Sequence, residues 1–169
     1  QLGKLIGARG IGTSGSADKL QRLEALGLDL GLRFRNGGFA EPVMQATGGK
    51  GVDLVVNNVG GTVFAECLRA LAYQGRLATV GYVDGAVTAE LDILALHAKR
   101  LKLFGVSNKM RSAGEIAEGV RGYMREVLPS IASGHLRPVV DKVFPFAELP
   151  QAKARMESNA HLGKIVIRL

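Results

Sequence analysis

The sequence predicts an α/β chain built on a doubly wound parallel sheet with helices on both faces, and three observations carry that prediction. Val52 to Val56 form an apolar run broken only by Asp53, with glycines before it and Asn-Asn-Val-Gly-Gly after it, the pattern of a strand buried on both faces. Thr62 to Leu71 then place Phe64, Cys67, Leu68 and Leu71 at helical spacing, and Gly75 to Gly81 read as a second buried strand, completing a βαβ unit. Finally, strands and helices alternate from Ala8 to Val106. Ligands of such sheets lie at the carboxyl ends of strands, so Asn57 to Gly61 and Gly81 to Asp84 are the first places to seek function.

Taken in order, Gln1 to Ile6 read as the tail of an amphipathic helix closed by Gly7, and Ala8 to Thr13 as a short strand. Ser16 is the expected N-cap of a helix over Ala17 to Leu26, with Leu20, Leu23 and Leu26 on one face and Gly27 as its stop. A strand near Leu30 to Phe34 precedes a helix over Phe39 to Ala46 that carries Pro42 in its first turn. Beyond the central unit, Leu91 to Arg100 read as a helix and Leu101 to Val106 as a strand. Ser112 to Glu115 form a capping box that opens a helix to about Ser133, with a kink expected at Pro129 and an end at Gly134. The tail alternates strand, helix and strand over Leu136 to Phe144, Pro150 to Ser158 and Gly163 to Leu169.

Composition narrows the function classes. A hydrophobic content of 47% over 169 residues suffices for a real core, and no apolar run reaches 18 residues. The single cysteine excludes an intramolecular disulfide and a CxxC metal site, and agrees with a reducing, cytoplasmic setting. Net charge is +7, yet the cations are scattered and aromatics make up 5%, so the stripe and stacking platform of a nucleic-acid binder are missing. Neither nucleic acid nor a membrane is an expected partner. The chain begins at Gln1 within a helical pattern, and so reads as part of a longer protein whose upstream targeting segment, if any, is out of view.

Five spaced blocks carry a family resemblance: GTSGSADK (Gly12 to Lys19), TGGKGVDLVVNNVGG (Thr47 to Gly61), LRALAYQGRLATVGYVDG (Leu68 to Gly85), SGHLRPVVDKVFPFAELPQA (Ser133 to Ala152) and HLGKIVIRL (His161 to Leu169). In that order and spacing the chain resembles the cofactor-binding half of the medium-chain dehydrogenase/reductase superfamily, nearest its zinc-independent NADPH:quinone oxidoreductase branch. The resemblance implies a Rossmann-like domain over residues 1–136, here without its first strand and glycine-rich turn, and a segment 137–169 that returns to a GroES-like catalytic domain. It implies NADP(H) as cofactor, a small quinone or enone as substrate, and no metal. Without its catalytic half, the chain alone is expected to be inactive and to fold without full cooperativity.

The same resemblance proposes site residues. In the turn after the second strand, Lys19 would pair with the cofactor 2′-phosphate and Ser14 or Ser16 would donate to it, in place of the acidic residue that holds a ribose 2′-OH in NAD enzymes. Ser16 and Lys19 also have a bland reading, as a helix cap and a solvated cation. Relatives often carry Tyr before Arg after the third strand; this chain has Phe34-Arg35, so Arg33 or Arg35 would supply a charge-assisted contact instead. Asn58, Val59 and Gly60 would lie against the adenine side, Val80, Gly81 and Tyr82 at the nicotinamide ribose, and Val106 and Ser107 at the carboxamide. Small residues suit a backbone that approaches a ligand closely, although glycines there also simply permit turns.

Other polar residues carry less. His97, His135 and His161 lack metal-ligand spacing and read as surface or helix-end residues, Cys67 as core before nucleophile, and Asp53 as a backbone-bonding residue before an acid/base; no catalytic residue is assigned. Hydride transfer asks the protein mainly for positioning, because the cofactor carries the chemistry. The leading expectation is therefore the NADPH-binding portion of a quinone or enone reductase, and its competitor is a non-catalytic dinucleotide-binding or structural module. In the family that the chain resembles, the sixth strand lies at the sheet edge and pairs with its symmetry mate, so the resemblance implies a homodimer through Leu101 to Val106, with Lys99, Arg100 and Lys102 as the counter-argument.

Overall fold

The structure, a computed structural model, describes residues 1–169 and divides them into two compact units, Gly7–Ile116 and Gln1–Ile6 with Ala117–Leu169. No helix is long and apolar enough to cross a membrane.

The short α1 (Leu2–Leu5) belongs to the second unit. The first opens with β1 (Ile11–Ser14), α2 (Ala17–Glu24) and β2 (Leu30–Arg33). Then come α3 (Ala40–Ala46), β3 (Val52–Asn57), a 3-10 turn at Gly61–Val63, α4 (Phe64–Ala70), β4 (Leu71–Thr79), α5 (Ile93–Ala98) and β5 (Lys102–Gly105). All pairings are parallel, and the strands stand in two parts, β1 with β2 and β3-β4-β5, with no ladder between β1 and β3. This is the mixed α/β, parallel-sheet architecture expected.

Burial sets the centre on α4 and β4. Leu71 and Leu77 are fully buried, and Cys67, Leu68, Ala70, Val43 and Phe39 close around them. Each such Leu contributes about 1.5–3 kcal/mol relative to an exposed one. Glu66, also buried, accepts from the Ala40 backbone N–H at 2.9 Å and pairs with Arg69, so α3, whose Phe39 N-cap has no side-chain bond of its own, is capped from α4.

One expectation about the central strand is overturned. β3 is not buried on both faces: Leu54 and Val56 are 45% and 61% exposed, while Val55 packs on the core. The reason is its place in the sheet. β3 has β4 as its one hydrogen-bonded neighbour, so it is an edge, and the side chains of its second face turn away from the apolar cluster. β4 also begins earlier than expected, at Leu71, through a register shift opposite Val52 and Leu54 and a left-handed Gln74 (φ 61°).

The helix from Ser112 opens as expected. Ser112 Oγ accepts from the Glu115 N–H at 3.3 Å, and Glu115 Oε2 accepts from the Ser112 N–H at 2.8 Å. The capping bonds hold the Glu115 carboxyl below its ordinary range. This helix, α6 (Ala113–Glu126), does not continue kinked to Ser133 but ends, and a separate α7 (Leu128–Ala132) begins with Pro129 in its first turn. A proline lacks the N–H that an interior position must donate, whereas the first turn does not need one, so a fresh start is cheaper than a kink.

In the second unit β6 (Val140–Pro145) pairs in parallel with β7 (Lys164–Arg168), and α8 (Leu149–Glu157) connects them. Asp141, whose side chain is buried, accepts from Arg155 Nε at 2.5 Å and from the Leu162 N–H at 3.0 Å, tying strand, helix and following loop together.

Candidate functional site

The expected site residues fall into two sets, both at carboxyl ends of strands in the unit Gly7–Ile116. One set belongs to the β1-β2 pair and the other to the three strands β3-β4-β5.

At the end of β1 the chain must leave the sheet and enter α2, and it does so through Ser14-Gly15-Ser16. Ser14 Oγ accepts from the Ser16 N–H at 3.2 Å, and Ser16 Oγ accepts from the Lys19 N–H at 3.3 Å, which makes Ser16 the N-cap that the sequence predicts. Both hydroxyl oxygens thus serve backbone N–H groups, leaving their own O–H groups as donors. The β2 ladder runs one residue further, with the Phe34 N–H on the Ser14 carbonyl at 3.1 Å, and this brings Arg35 onto the turn. Arg35 lies across Gly15: a Cβ there would stand 2.5 Å from Arg35 Cγ and 2.7 Å from Nε, so any larger residue would displace it. Of the two arginines left open by the sequence, Arg35 is the one laid on the turn; Arg33 is exposed beside Ser14 in register. Lys19 is half-buried in the first turn of α2. Two hydroxyl donors, a guanidinium and the start of a helix flank this turn; β1 ends without a carboxylate, and Asp18, in the first turn of α2, stands 4.0 Å from Arg22. This donor set fits an anion such as a phosphate.

The second set lies at the ends of β3, β4 and β5. Asn57, which the sequence names only as the start of a stretch to search, organises it. Its side chain is 3% exposed; Oδ1 accepts from the Val59 and Gly60 N–H groups at 3.0 and 3.1 Å, and Nδ2 donates to the Gly60 carbonyl at 3.0 Å. Its own carbonyl takes the Val80 N–H at 2.8 Å. A signal does exist in the sequence, because Asn closing a strand before a turn is a residue that bonds its own backbone two residues on. Asn58 is exposed and Val59 half-buried, but Gly60 is buried with its N–H and C=O both engaged by Asn57.

Val80 and Tyr82 are exposed beside this turn, and Gly81 sits tightly enough that a Cβ would meet the Asn58 carbonyl at 3.3 Å. From β5, the Val106 N–H reaches the Thr79 carbonyl at 2.8 Å, and Ser107 Oγ accepts from the Lys109 N–H at 3.2 Å. Lys109 Nζ then stands 3.3 Å from the Tyr82 hydroxyl and 6.0 Å from its ring centroid, so a cation reaches across the mouth of the strands. Asp84, named only as the end of a stretch to search, is held by Thr62 and by the Ala86 N–H; the Thr62 hydroxyl above all keeps its carboxyl below the usual aspartate range.

The other polar residues stand apart. His135 Nδ1 is 2.7 Å from Ser133 Oγ, and His97 lies in the last turn of α5. His161 departs from a plain surface reading, because its Nδ1 is buried with no hydrogen-bond partner. Asp53 is exposed. No group of three or more His, Cys, Asp or Glu side chains is placed to hold a metal ion.

Residues 26–167 match the family described as zinc-binding dehydrogenase. The chain is 31% identical over 168 residues to a phenolphthiocerol/phthiocerol polyketide synthase of Mycobacterium tuberculosis, an alignment that takes in 99% of this chain and 8% of that protein. It is 27% identical over 165 residues to quinone oxidoreductase-like protein 2 of Bos taurus, covering 98% of the chain and 47% of that protein. Among solved structures, mycobacterial Rv1454c complexed with NADPH superposes with a TM-score of 0.81 at 28% identity, covering 99% of this chain and 52% of that one. The chain thus spans about half the length of the last two relatives and less than a tenth of the first.

Proposed function

We propose, because this chain belongs to the zinc-binding dehydrogenase family within the medium-chain dehydrogenase/reductase superfamily, that it is the NADPH-binding portion of an oxidoreductase that reduces a quinone or another α,β-unsaturated carbonyl. The observation that carries the reading is the corner at the end of β1, where Ser14, Ser16 and Arg35 surround a turn with no carboxylate at the strand end. Such a corner favours a 2′-phosphate over a bare ribose 2′-OH. Ser14 and Ser16 donate to the phosphate, and Lys19 and Arg35 neutralise it. Asn58, Val59 and the Gly60 turn border the adenine side. Val80, Gly81 and Tyr82 border the nicotinamide ribose, and Val106 and Ser107 the carboxamide. NADPH supplies the hydride when bound; the chain's own residues bind and orient it.

In this reading residues 1–136 form the cofactor-binding portion and 137–169 return to a catalytic domain, in the cytoplasm. Two copies meet through the edge strand around β5. The test is made on the full-length protein. Lys19→Ala is expected to weaken NADPH binding by about 1.5–3 kcal/mol, the range for a hydrogen bond to a charged group, with NADH nearly unchanged. Equal losses for both cofactors would remove Lys19 from phosphate recognition.

The likeness to a polyketide synthase favours a second reading, in which the acceptor is an unsaturated acyl thioester held by a multienzyme. A substrate panel of quinones, free enones and enoyl thioesters separates the two. The non-catalytic module predicts NADPH binding with no turnover of any of them.

A further inference from the structure

We propose that Asp84 is a positioning residue of the cofactor site, fastening the loop that carries Val80, Gly81 and Tyr82 to the turn at Gly60–Thr62 so that the two segments form one preshaped wall. The inference rests on the NADPH-binding reading above.

The connection from Val80 to Asp92 contains no helix or strand, so something other than a ladder must hold it. Asp84 does so with both carboxylate oxygens. Oδ2 accepts from the Thr62 N–H at 2.9 Å and from Thr62 Oγ1 at 2.5 Å, and Oδ1 accepts from the Ala86 N–H at 2.9 Å. Its backbone closes the seam: the Asp84 N–H donates to the Val59 carbonyl at 2.9 Å, and the Gly61 N–H donates to the Ala86 carbonyl at 2.9 Å. Charge-assisted bonds of this kind are the strong ones, and they hold here although Asp84 is exposed.

The two glycines opposite form the socket. Gly60 has φ 133°, and a Cβ on it would run into the Asp84 carboxylate; a Cβ on Gly61 would stand 2.5 Å from the Thr88 carbonyl and 2.9 Å from that of Ala86. Their smallness is therefore required by the chain's own loop, whether or not a ligand also comes close. With three donors on its carboxylate, Asp84 is an ionised acceptor, and a proton-donor role does not suit it. Its influence passes through the backbone of the loop, two residues from Tyr82.

The experiment uses the full-length protein and the variants Asp84→Ala, Thr62→Val and Thr62→Ser. Amide hydrogen exchange at Thr62 and Ala86 reads the fastening without any cofactor, and NADPH affinity with the split between KM and kcat reads the site. Asp84→Ala and Thr62→Val are expected to speed exchange at these amides about tenfold or more, the equivalent of one lost bond to a charged group. They are expected to raise the NADPH Kd and KM by about threefold to tenfold, with kcat at saturation held within about twofold. Thr62→Ser, which keeps the hydroxyl, restores both. Unchanged exchange in Asp84→Ala overturns the fastening. Faster exchange with unaltered NADPH affinity overturns the positioning role, and so does a kcat loss that Thr62→Ser fails to rescue. A wild-type protein without NADPH affinity overturns the functional reading and with it the positioning role, while the exchange measurement still separates that failure from a failure of the fastening.

Discussion

Cys67 is packed inside α4 at 3% exposure, and burial pushes its thiol up to about 11 from an ordinary 9.0. The folded state therefore holds the proton more tightly than the unfolded state. Stability from this group is complete below about pH 9 and is lost as the pH rises through about 11. Two outcomes are expected. Iodoacetamide at pH 8 should label Cys67 only as fast as the protein opens, and the urea midpoint should fall across that alkaline window in the wild type but less in Cys67→Ala. Rapid labelling of native protein would contradict the burial. At this scale the sequence is informative where chemistry is local. Ser16 as a cap and Cys67 as core follow from their immediate neighbours. Asn57 is equally local, since its side chain bonds the backbone of Val59 and Gly60, whereas Asp84 is harder to read, because it reaches back along the chain to Thr62.

Single elements show where local signals win and where the sheet overrides them. The Ser112–Glu115 box is wholly local, and both of its reciprocal bonds form. Ser112→Ala should cost about 0.5–2 kcal/mol, read as a lower thermal midpoint. The depressed Glu115 carboxyl gives the sign of the pH effect: its contribution is present above the ordinary carboxylate range and is lost as acid protonates it. A wild-type midpoint that falls on acidification no more than that of Glu115→Gln would contradict this. The cap of α3 was not legible, since Glu66 lies on another helix. The exposure of Leu54 and Val56 was not legible either, because an apolar run says that a strand prefers burial and says nothing of how many neighbours it has. β5 poses the same question at the other edge, where Phe104 is 46% exposed. If two copies pair there, Leu103→Pro removes a donor from the ladder and should turn a dimer into monomer or aggregate in sedimentation. A wild type that sediments as a monomer at micromolar concentration would refute the pairing.

At the scale of the whole molecule, the order of helices and strands was legible almost throughout, since hydrophobic period and glycine punctuation act within a few residues. Boundaries moved where tertiary pairing decided them, as at Leu71, or where a proline could begin a new helix, as at Pro129. The parallel sense of every pair has a kinetic consequence. No two strands here can be closed by a hairpin, because a parallel partner must first be carried back by a crossover. Ile11 meets Leu30, Val52 meets Leu71, Arg76 meets Lys102 and Val140 meets Lys164, so each ladder begins only after a loop of roughly twenty residues has lost its freedom. Refolding from denaturant is expected in about milliseconds to seconds, without the microsecond phase of a hairpin or small helical bundle. Stopped-flow measurement checks it, and a chain that completes folding within the dead time would show that the strand pairs do not set the rate.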